Sequence, residues 1–413
     1  MFEFTVTHKD GAARVGTLTT PHGEVTTPCF MPVGTHGAVK GVSPDELKAV
    51  GSQVVLDNTY HLYLKPGDEI IRDLGGLHAF TTYDGPMLTD SGGFQAFSLG
   101  ERGIDGHVKQ TMRSVTEDGV TFKSHHDGSK HLFTPEKSIT IQHNLGADII
   151  MAFDQPVYGM SDPAMAKEAM QRSMRWLGRS VTTWEELGKK TAQGTDQALF
   201  GIVQGGVHTE LHTESAHAVV AQDLPGNAIG GLAIGETKPD MWKATESIIS
   251  LLPPEKPRYF MGLGEPMDLL DATQRGVDMY DCVAPTRLGR HGVIWQMLDE
   301  AGETESEIVA AFWRGDTEAL LRAKPKSIKY VRWNMTNAKF REDPGLLLPS
   351  ALYGEGSPYL PLSRALLYHY VKFDEMLGYR VLSIHNIAVL HKITEHMRNA
   401  IALQSLDRLR NLW

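Results

Sequence analysis

Three aspartates of this sequence each close, or nearly close, a short apolar run: Asp90 after PMLT, Asp154 after ADIIMAF and Asp281 within MYDCVAP. Carboxylates that converge from separate elements suit substitution at an acetal-like carbon. One attacks or stabilises an oxocarbenium-like centre while another moves a proton. Gln204, Gly205 and Gly206 end a fourth run, and Gly230 and Gly231 interrupt a fifth, with Glu236 just beyond it. Asp154 and Gln204 carry the donors and acceptors needed to read the edge of a purine. The paired glycines let backbone N–H groups approach a flat ligand. A lone aspartate of this kind is ordinarily a cap or turn residue. Three of them with Gln204 and two glycine pairs favour an active site. A sugar-cleaving enzyme would explain the carboxylates but not the purine-edge pattern. No dinucleotide fingerprint, phosphate loop, kinase set or nucleophile elbow competes. His208 and His212 (HTELH) have the i,i+4 spacing of metal ligands but lack the glutamate of H-E-x-x-H, so no metal is expected there.

The elements that must position these groups alternate along the chain. Eight apolar runs, at 28–33, 53–60, 86–90, 147–154, 199–206, 227–235, 259–264 and 279–285, read as strands buried on both faces. Between them, 43–52, 163–190, 208–222, 238–252 and 265–276 show helical spacing. Eight strands alternating with helices predict an α/β chain folded as a (β/α)8 TIM barrel, whose active site lies at the strand C-termini. A doubly wound sheet would need a glycine-rich loop after its first strand, and none follows PCFMPV. The expected division is a catalytic barrel over 1–297 with an antiparallel insertion near 96–146, a helical insertion over 298–329, and a mainly helical C-terminal subdomain over 330–413. Within the last, YRVLSIHN reads as an extended piece between two helices.

The 413 residues suit one such barrel with an appendage. No apolar run is long enough to span a bilayer and the opening segment has no signal-peptide core, so no membrane association is expected and the cytoplasm is the default. The formal charge of −10 is unevenly spread: residues 1–280 carry a net −12 and residues 281–413 a net +2. Between 322 and 341 stand seven basic residues and no acidic one, either a solvated loop or part of a polyanion-binding face. Cys29 and Cys282 are the only cysteines, too few for a disulfide framework or an all-cysteine metal site.

Taken in order, FMPVGTHGAVKG (30–41), LDNTYHLYLKPG (56–67), LTDSGGFQAFSL (88–99), GVTFKSHHDGSKH (119–131), IMAFD (150–154), FGIVQGG (200–206), AIGGLAIGE (228–236), YFMGLGEP (259–266) and DCVAPTRLGRHG (281–292) resemble the tRNA-guanine transglycosylase (queuine tRNA-ribosyltransferase) family. NAKFRED (337–343), LGYR (377–380) and SIHN (383–386) extend the likeness over nearly the whole chain except 298–329. The resemblance implies an enzyme that removes guanine from the wobble position of a tRNA anticodon and installs a 7-deazaguanine. Asp281 matches the family nucleophile and Asp90 its general acid/base. Asp154, Gln204, Gly230, Gly231, Met261 and Glu236 match the base pocket, and Phe94 the stacking aromatic, often tyrosine in the family. Arg287 and Arg290 match residues that contact nucleotides beside the exchanged base. Base exchange in RNA fits such a set, because the nucleotide must leave its stack and be clamped in a flat pocket.

Ile234 matches a position that is β-branched in enzymes using preQ1 and glycine in those using queuine. The resemblance therefore favours preQ1, although Pro156 stands where bacterial members commonly have cysteine. The alternatives are a queuine-using enzyme, the same chemistry on another RNA or DNA site, and a non-catalytic accessory subunit. The last predicts loss of the nucleophile, and Asp281 is present. The family also carries a C-terminal structural zinc and works as a homodimer. Here Gly354, Gly356 and Tyr359 replace the three zinc cysteines and His385 alone matches a ligand. One histidine cannot hold a structural zinc, so no cofactor is expected, with packing by residues near 352–362 in its place.

Overall fold

The computed structural model describes residues 2–98, 114–158, 160–354 and 357–413. Strands β1 (Glu3–Asp10), β2 (Ala13–Thr20) and β3 (Gly23–Thr27) make an antiparallel sheet ahead of the barrel. The barrel strands are β4 (Cys29–Pro32), β5 (Val55–Asp57), β6 (Met87–Thr89), β10 (Ile149–Met151), β11 (Ala198–Val203), β12 (Gly226–Ile229), β13 (Arg258–Phe260) and β14 (Met279–Cys282). Between β6 and β10, β7 (Ser114–Val115), β8 (Val120–Lys123) and β9 (Lys130–Phe133) form a small antiparallel sheet. All neighbouring barrel strands run parallel, and β14 pairs with β4 from Met279↔Cys29 to Cys282↔Pro32. The ring is completed by a bridge between Val33 and Leu56, where the Gly34 N–H donates to the Leu56 carbonyl at 2.6 Å. The fold is thus the eightfold α/β barrel expected from the alternating runs, nearly closed.

Every barrel strand falls within a run recognised by its hydrophobicity, apart from a one-residue extension at the start of three of them, and most stop short of its polar end. Those trailing residues are loops at the barrel mouth. Helices Pro163–Glu186, Thr209–Val220, Lys238–Ile249 and Pro266–Gln274 follow the strands, three of them with proline in the first turn, where its missing N–H costs nothing.

Beyond the barrel, β15 (Val293–Asp299) pairs antiparallel with β16 (Ile328–Asn334). Helices Glu307–Arg314 and Thr317–Arg322 fill the connection. A hairpin therefore frames the helical segment, and β15 runs across position 297. The segment YRVLSIHN is not extended. It lies inside one 27-residue helix, Met376–Ala402, in which Leu382, Ile384, His385 and Asn386 are buried. Its apolar run suits a strand as well as a helix locally; packing on several sides decides. That helix crosses Ala284–Arg290 so closely that a Cβ on Gly289 would sit 2.7 Å from the Ser383 backbone nitrogen. It also packs on β1, β2 and β4.

Candidate active site

Asp90, Asp154, Gln204, Gly230, Gly231, Met261 and Asp281 all lie at or just past the C-terminal ends of barrel strands, on the face where this fold builds active sites. Asp281 occupies β14 itself. Its Oδ1 accepts from the Tyr259 hydroxyl at 2.6 Å and from the Gly262 N–H at 2.7 Å. Among the described residues nothing hydrogen-bonds Oδ2. Burial raises the Asp281 pKa and these two donors oppose the rise. Tyr259 and Gly262 do not stand out as site residues in the sequence, although a tyrosine opening the apolar run YFMGLG is a signal.

Asp90 is held by the start of helix Thr59–Leu64. Its Oδ1 accepts from the Thr59 N–H at 2.8 Å and the Gly92 N–H at 3.2 Å, and its Oδ2 from the Asn58 amide. Burial pushes it up to about 7, backbone N–H donors pull it down, and the neighbouring Asp281 charge adds to the rise. Such a carboxyl can hold a proton near neutrality and give it up.

Asp154 and Gln204 are joined. The Gln204 Nε2 donates to Asp154 Oδ2 at 2.6 Å, and the Ser91 hydroxyl donates to Asp154 Oδ1 at 3.1 Å. Burial lifts Asp154 to about 6. Gln204 Oε1 is buried with no partner among the described residues, an acceptor left without a donor. Gly230 and Gly231 make room for this amide. A Cβ on Gly230 would meet Nε2 at 2.8 Å, and one on Gly231 would meet Oε1 at 2.5 Å.

Phe94 projects from the first turn of Gly93–Ser98, 46% exposed, and lines a cavity of about 160 Å³ with Gln155, Pro156, Tyr158, Met165 and Ile234. Glu236 folds back on its own loop, accepting from the Ala233 and Ile234 N–H groups. Ala233 has φ +59°, a left-handed conformation uncommon in residues other than glycine. Met261 is half-buried, its N–H bonded to the Ile229 carbonyl. Arg287 and Arg290 stand on the short helix after β14, without a carboxylate partner among the described residues.

Three other sequence features resolve differently. His208 and His212 do not converge: His208 Nε2 meets the Ser161 carbonyl, and the buried His212 Nε2 meets the Gly206 carbonyl. Three of the seven basic residues in the stretch 322–341 are answered by carboxylates. Arg322 pairs with Glu318, Lys324 with Glu300 and Arg332 with Glu265. The third is the region of the family's zinc. His385 is buried, its Nε2 donating to the Trp295 carbonyl at 2.8 Å and its ring against Trp313, on which Tyr359 also packs. Gly354 is exposed with open space about it, and Gly356 lies outside the described residues. Cys29 and Cys282 sit in adjacent barrel strands, their thiols pushed up by burial to about 12 and about 11. These cysteines are not arranged as a zinc site, and the surroundings of His385 do not fit one: its Nδ1 is buried without a hydrogen-bond partner, but among the described residues no thiolate, carboxylate or second imidazole converges on it. Among the described residues, the one His/Asp grouping with metal-like spacing is His22, His78 and Asp148. It lies at the opposite end of the barrel, just ahead of β10.

Comparison with known proteins gives one consistent answer. The family model described as queuine tRNA-ribosyltransferase matches residues 9–413. The queuine tRNA-ribosyltransferase of Herpetosiphon aurantiacus is 45% identical over 413 residues, covering all of this chain and 92% of that protein. Those of Thermus thermophilus, 45% identical over 400 residues, and Fusobacterium nucleatum, 42% over 402, cover 97% and 96% of this chain and 90% and 93% of their own lengths.

Proposed function

The chain belongs to the queuine tRNA-ribosyltransferase family, and from that premise we propose that its barrel mouth exchanges the wobble guanine of a tRNA anticodon for preQ1 through a covalent ribosyl intermediate on Asp281. It is a pentosyltransferase. The observation that carries the assignment of roles is the contrast between Asp281 and Asp90. Asp281 has one oxygen fixed by Tyr259 and Gly262 and the other unbonded among the described residues, whereas Asp90 has both oxygens tied by neutral donors and an elevated pKa.

Asp281 Oδ2 attacks ribose C1′ as the glycosidic bond breaks, and the electron pair leaves with the guanine. Protonated Asp90 supplies the proton that lets guanine depart neutral. The incoming 7-deazaguanine then gives its N9 proton to the Asp90 carboxylate and attacks C1′, which releases Asp281. Asp154, Gln204 and the backbone near Gly230 and Gly231 hold the Watson–Crick edge, Phe94 stacks on the ring, and Met261 bounds the pocket. Arg287 and Arg290 bind the flanking nucleotides.

Ile234, half-buried, lines the cavity with Tyr158 and Met165, and its bulk supports a small substituent, as in preQ1, with Glu236 near its amine. Pro156 in the same cavity is the observation favouring queuine instead. The working division into a barrel over 1–297, an insertion over 298–329 and a C-terminal subdomain over 330–413 belongs to this reading. So does a homodimer, for which Phe373 and Met376, 74% and 81% exposed, offer apolar surface. No described helix is long and apolar enough to cross a membrane, and a tRNA substrate implies the cytoplasm.

The test is exchange of labelled guanine into a tRNA whose anticodon begins with G followed by U, for wild type and Asp281→Ala. Exchange by the variant would overturn the assigned nucleophile, and competition between preQ1 and queuine identifies the incoming base.

A further inference from the structure

Near Asp90, four histidines from three separate segments come together. His36 follows β4, His61 lies on helix Thr59–Leu64, and His125 and His126 occupy the turn between β8 and β9. Ring centroids are 5.0 Å apart for His36 and His61, 5.8 Å for His61 and His125, and 4.0 Å for His125 and His126. The helix that carries His61 is the one whose first turn holds Asp90 through Asn58 and Thr59. His36, His125, His126 and Lys40 are exposed, while His61 Nδ1 is buried and has no hydrogen-bond partner.

We propose that His36, His61, His125 and His126, with Lys40, bind the phosphodiester backbone of the RNA next to the exchanged nucleotide, taking up protons as they do so. The proposal rests on the transglycosylase reading and names where the RNA strand lies. Its basis is an imbalance of charge. His22 and His78 each face a carboxylate, whereas none of these four forms an ion pair among the described residues. His36 faces Lys40 and His126, and His61 faces the other three imidazoles and Lys40. His125 faces His126, His36, Lys65 and the Tyr60 hydroxyl, and Lys40 faces Arg290.

The acids nearby are otherwise engaged. Asp57 is buried, takes the Gly37 N–H and is pushed up to about 7. Asp90 is bound by Thr59 and Asn58. Asp127 accepts from the Ser129 N–H and hydroxyl. Burial, followed by repulsion from neighbouring cationic groups, lowers the pKa of His36, His61 and His125 in the free protein, His61 down to about 4. An RNA phosphate supplies the anion the cluster lacks. It raises the imidazole pKa values, so binding draws in protons and strengthens as pH falls.

The experiment measures binding of a fluorescent anticodon stem-loop RNA, with guanine at the wobble position, at pH 6 and pH 8 and across a salt series. Wild type is compared with the exposed-residue variant His36→Gln/His126→Gln, and guanine exchange is followed in parallel. Wild type should bind on the order of tenfold more tightly at pH 6. The double variant should lose most of that dependence and about one unit of salt slope. If wild type exchanges guanine yet the variant keeps the full pH and salt dependence, the phosphate site is wrong and the function stands. If wild type neither binds this RNA nor exchanges guanine, the function itself fails and takes the site with it.

Discussion

Asp278 and Asp281 stand three residues apart at opposite ends of β14, and their surroundings are opposed. At the N-terminal end, Asp278 accepts two bonds from the buried Arg14 guanidinium, at 2.9 and 2.6 Å, and a third from the Arg258 N–H. Asp148, at the same end, is met by His22, His78 and the Met87 N–H, which together hold it below its ordinary pKa. At the mouth, Asp90, Asp154 and Asp281 receive hydroxyls, amides and backbone N–H groups, and among the described residues no cation. One end uses aspartate as a rivet. The other withholds full charges from it, which leaves its electrons and protons available. The difference separates carboxylates that stabilise from carboxylates that react, where position in a barrel alone would not.

Neutralising each member of the pair tests this directly. Asp281→Asn should lower guanine exchange by roughly 10⁴-fold or more while leaving the urea midpoint near wild type. A covalent RNA adduct, visible on a denaturing gel with wild type, should vanish. Asp278→Asn should do the reverse, costing about 3–5 kcal/mol in denaturant unfolding because Arg14 is left buried without its partner, with kcat of the folded fraction retained.

Smaller effects sharpen the contrast. Asp154 has its pKa raised to about 6 in the fold, above the ordinary carboxylate value, so its ionisation costs stability once pH exceeds that range. Asp154→Asn should therefore gain about 1–3 kcal/mol at pH 8 and little at pH 4, at the expense of affinity for the base. Asp90 should impose a basic limb on exchange. Because the protonated form starts the cycle, kcat/KM for tRNA should fall as pH rises through about 7, and Asp90→Asn should abolish that limb.

Much of this is legible in the amino-acid sequence. Hydrophobic runs interrupted by polar residues locate all eight barrel strands and put Asp90, Asp154, Gln204 and Asp281 on one rim, because strand ends are local in sequence. What supports those residues is not legible there. Tyr259 reaches Asp281 from the neighbouring strand, and Arg14 reaches Asp278 from a distant hairpin. The basic stretch 322–341 looks uniformly charged because the carboxylates that answer part of it, Glu265, Glu300 and Glu318, all lie outside it. The helix Met376–Ala402 reads as extended over YRVLSIHN for a related reason. Its apolar residues face several partners at once, and such burial erases the one-sided pattern by which a helix is ordinarily recognised.

That same helix bears on how the protein is made. It packs on β1, β2 and β4, its Arg398 donates to the Pro28 carbonyl, and just beyond it the Leu406 N–H donates to Asp10. The barrel seam, where β14 meets β4, is thus buttressed by a segment translated well after both strands. A chain still emerging from the ribosome holds a complete set of strands with an uncovered flank. Such intermediates are prone to aggregate, so the rate of translation between β14 and this helix becomes a quantity that matters for yield.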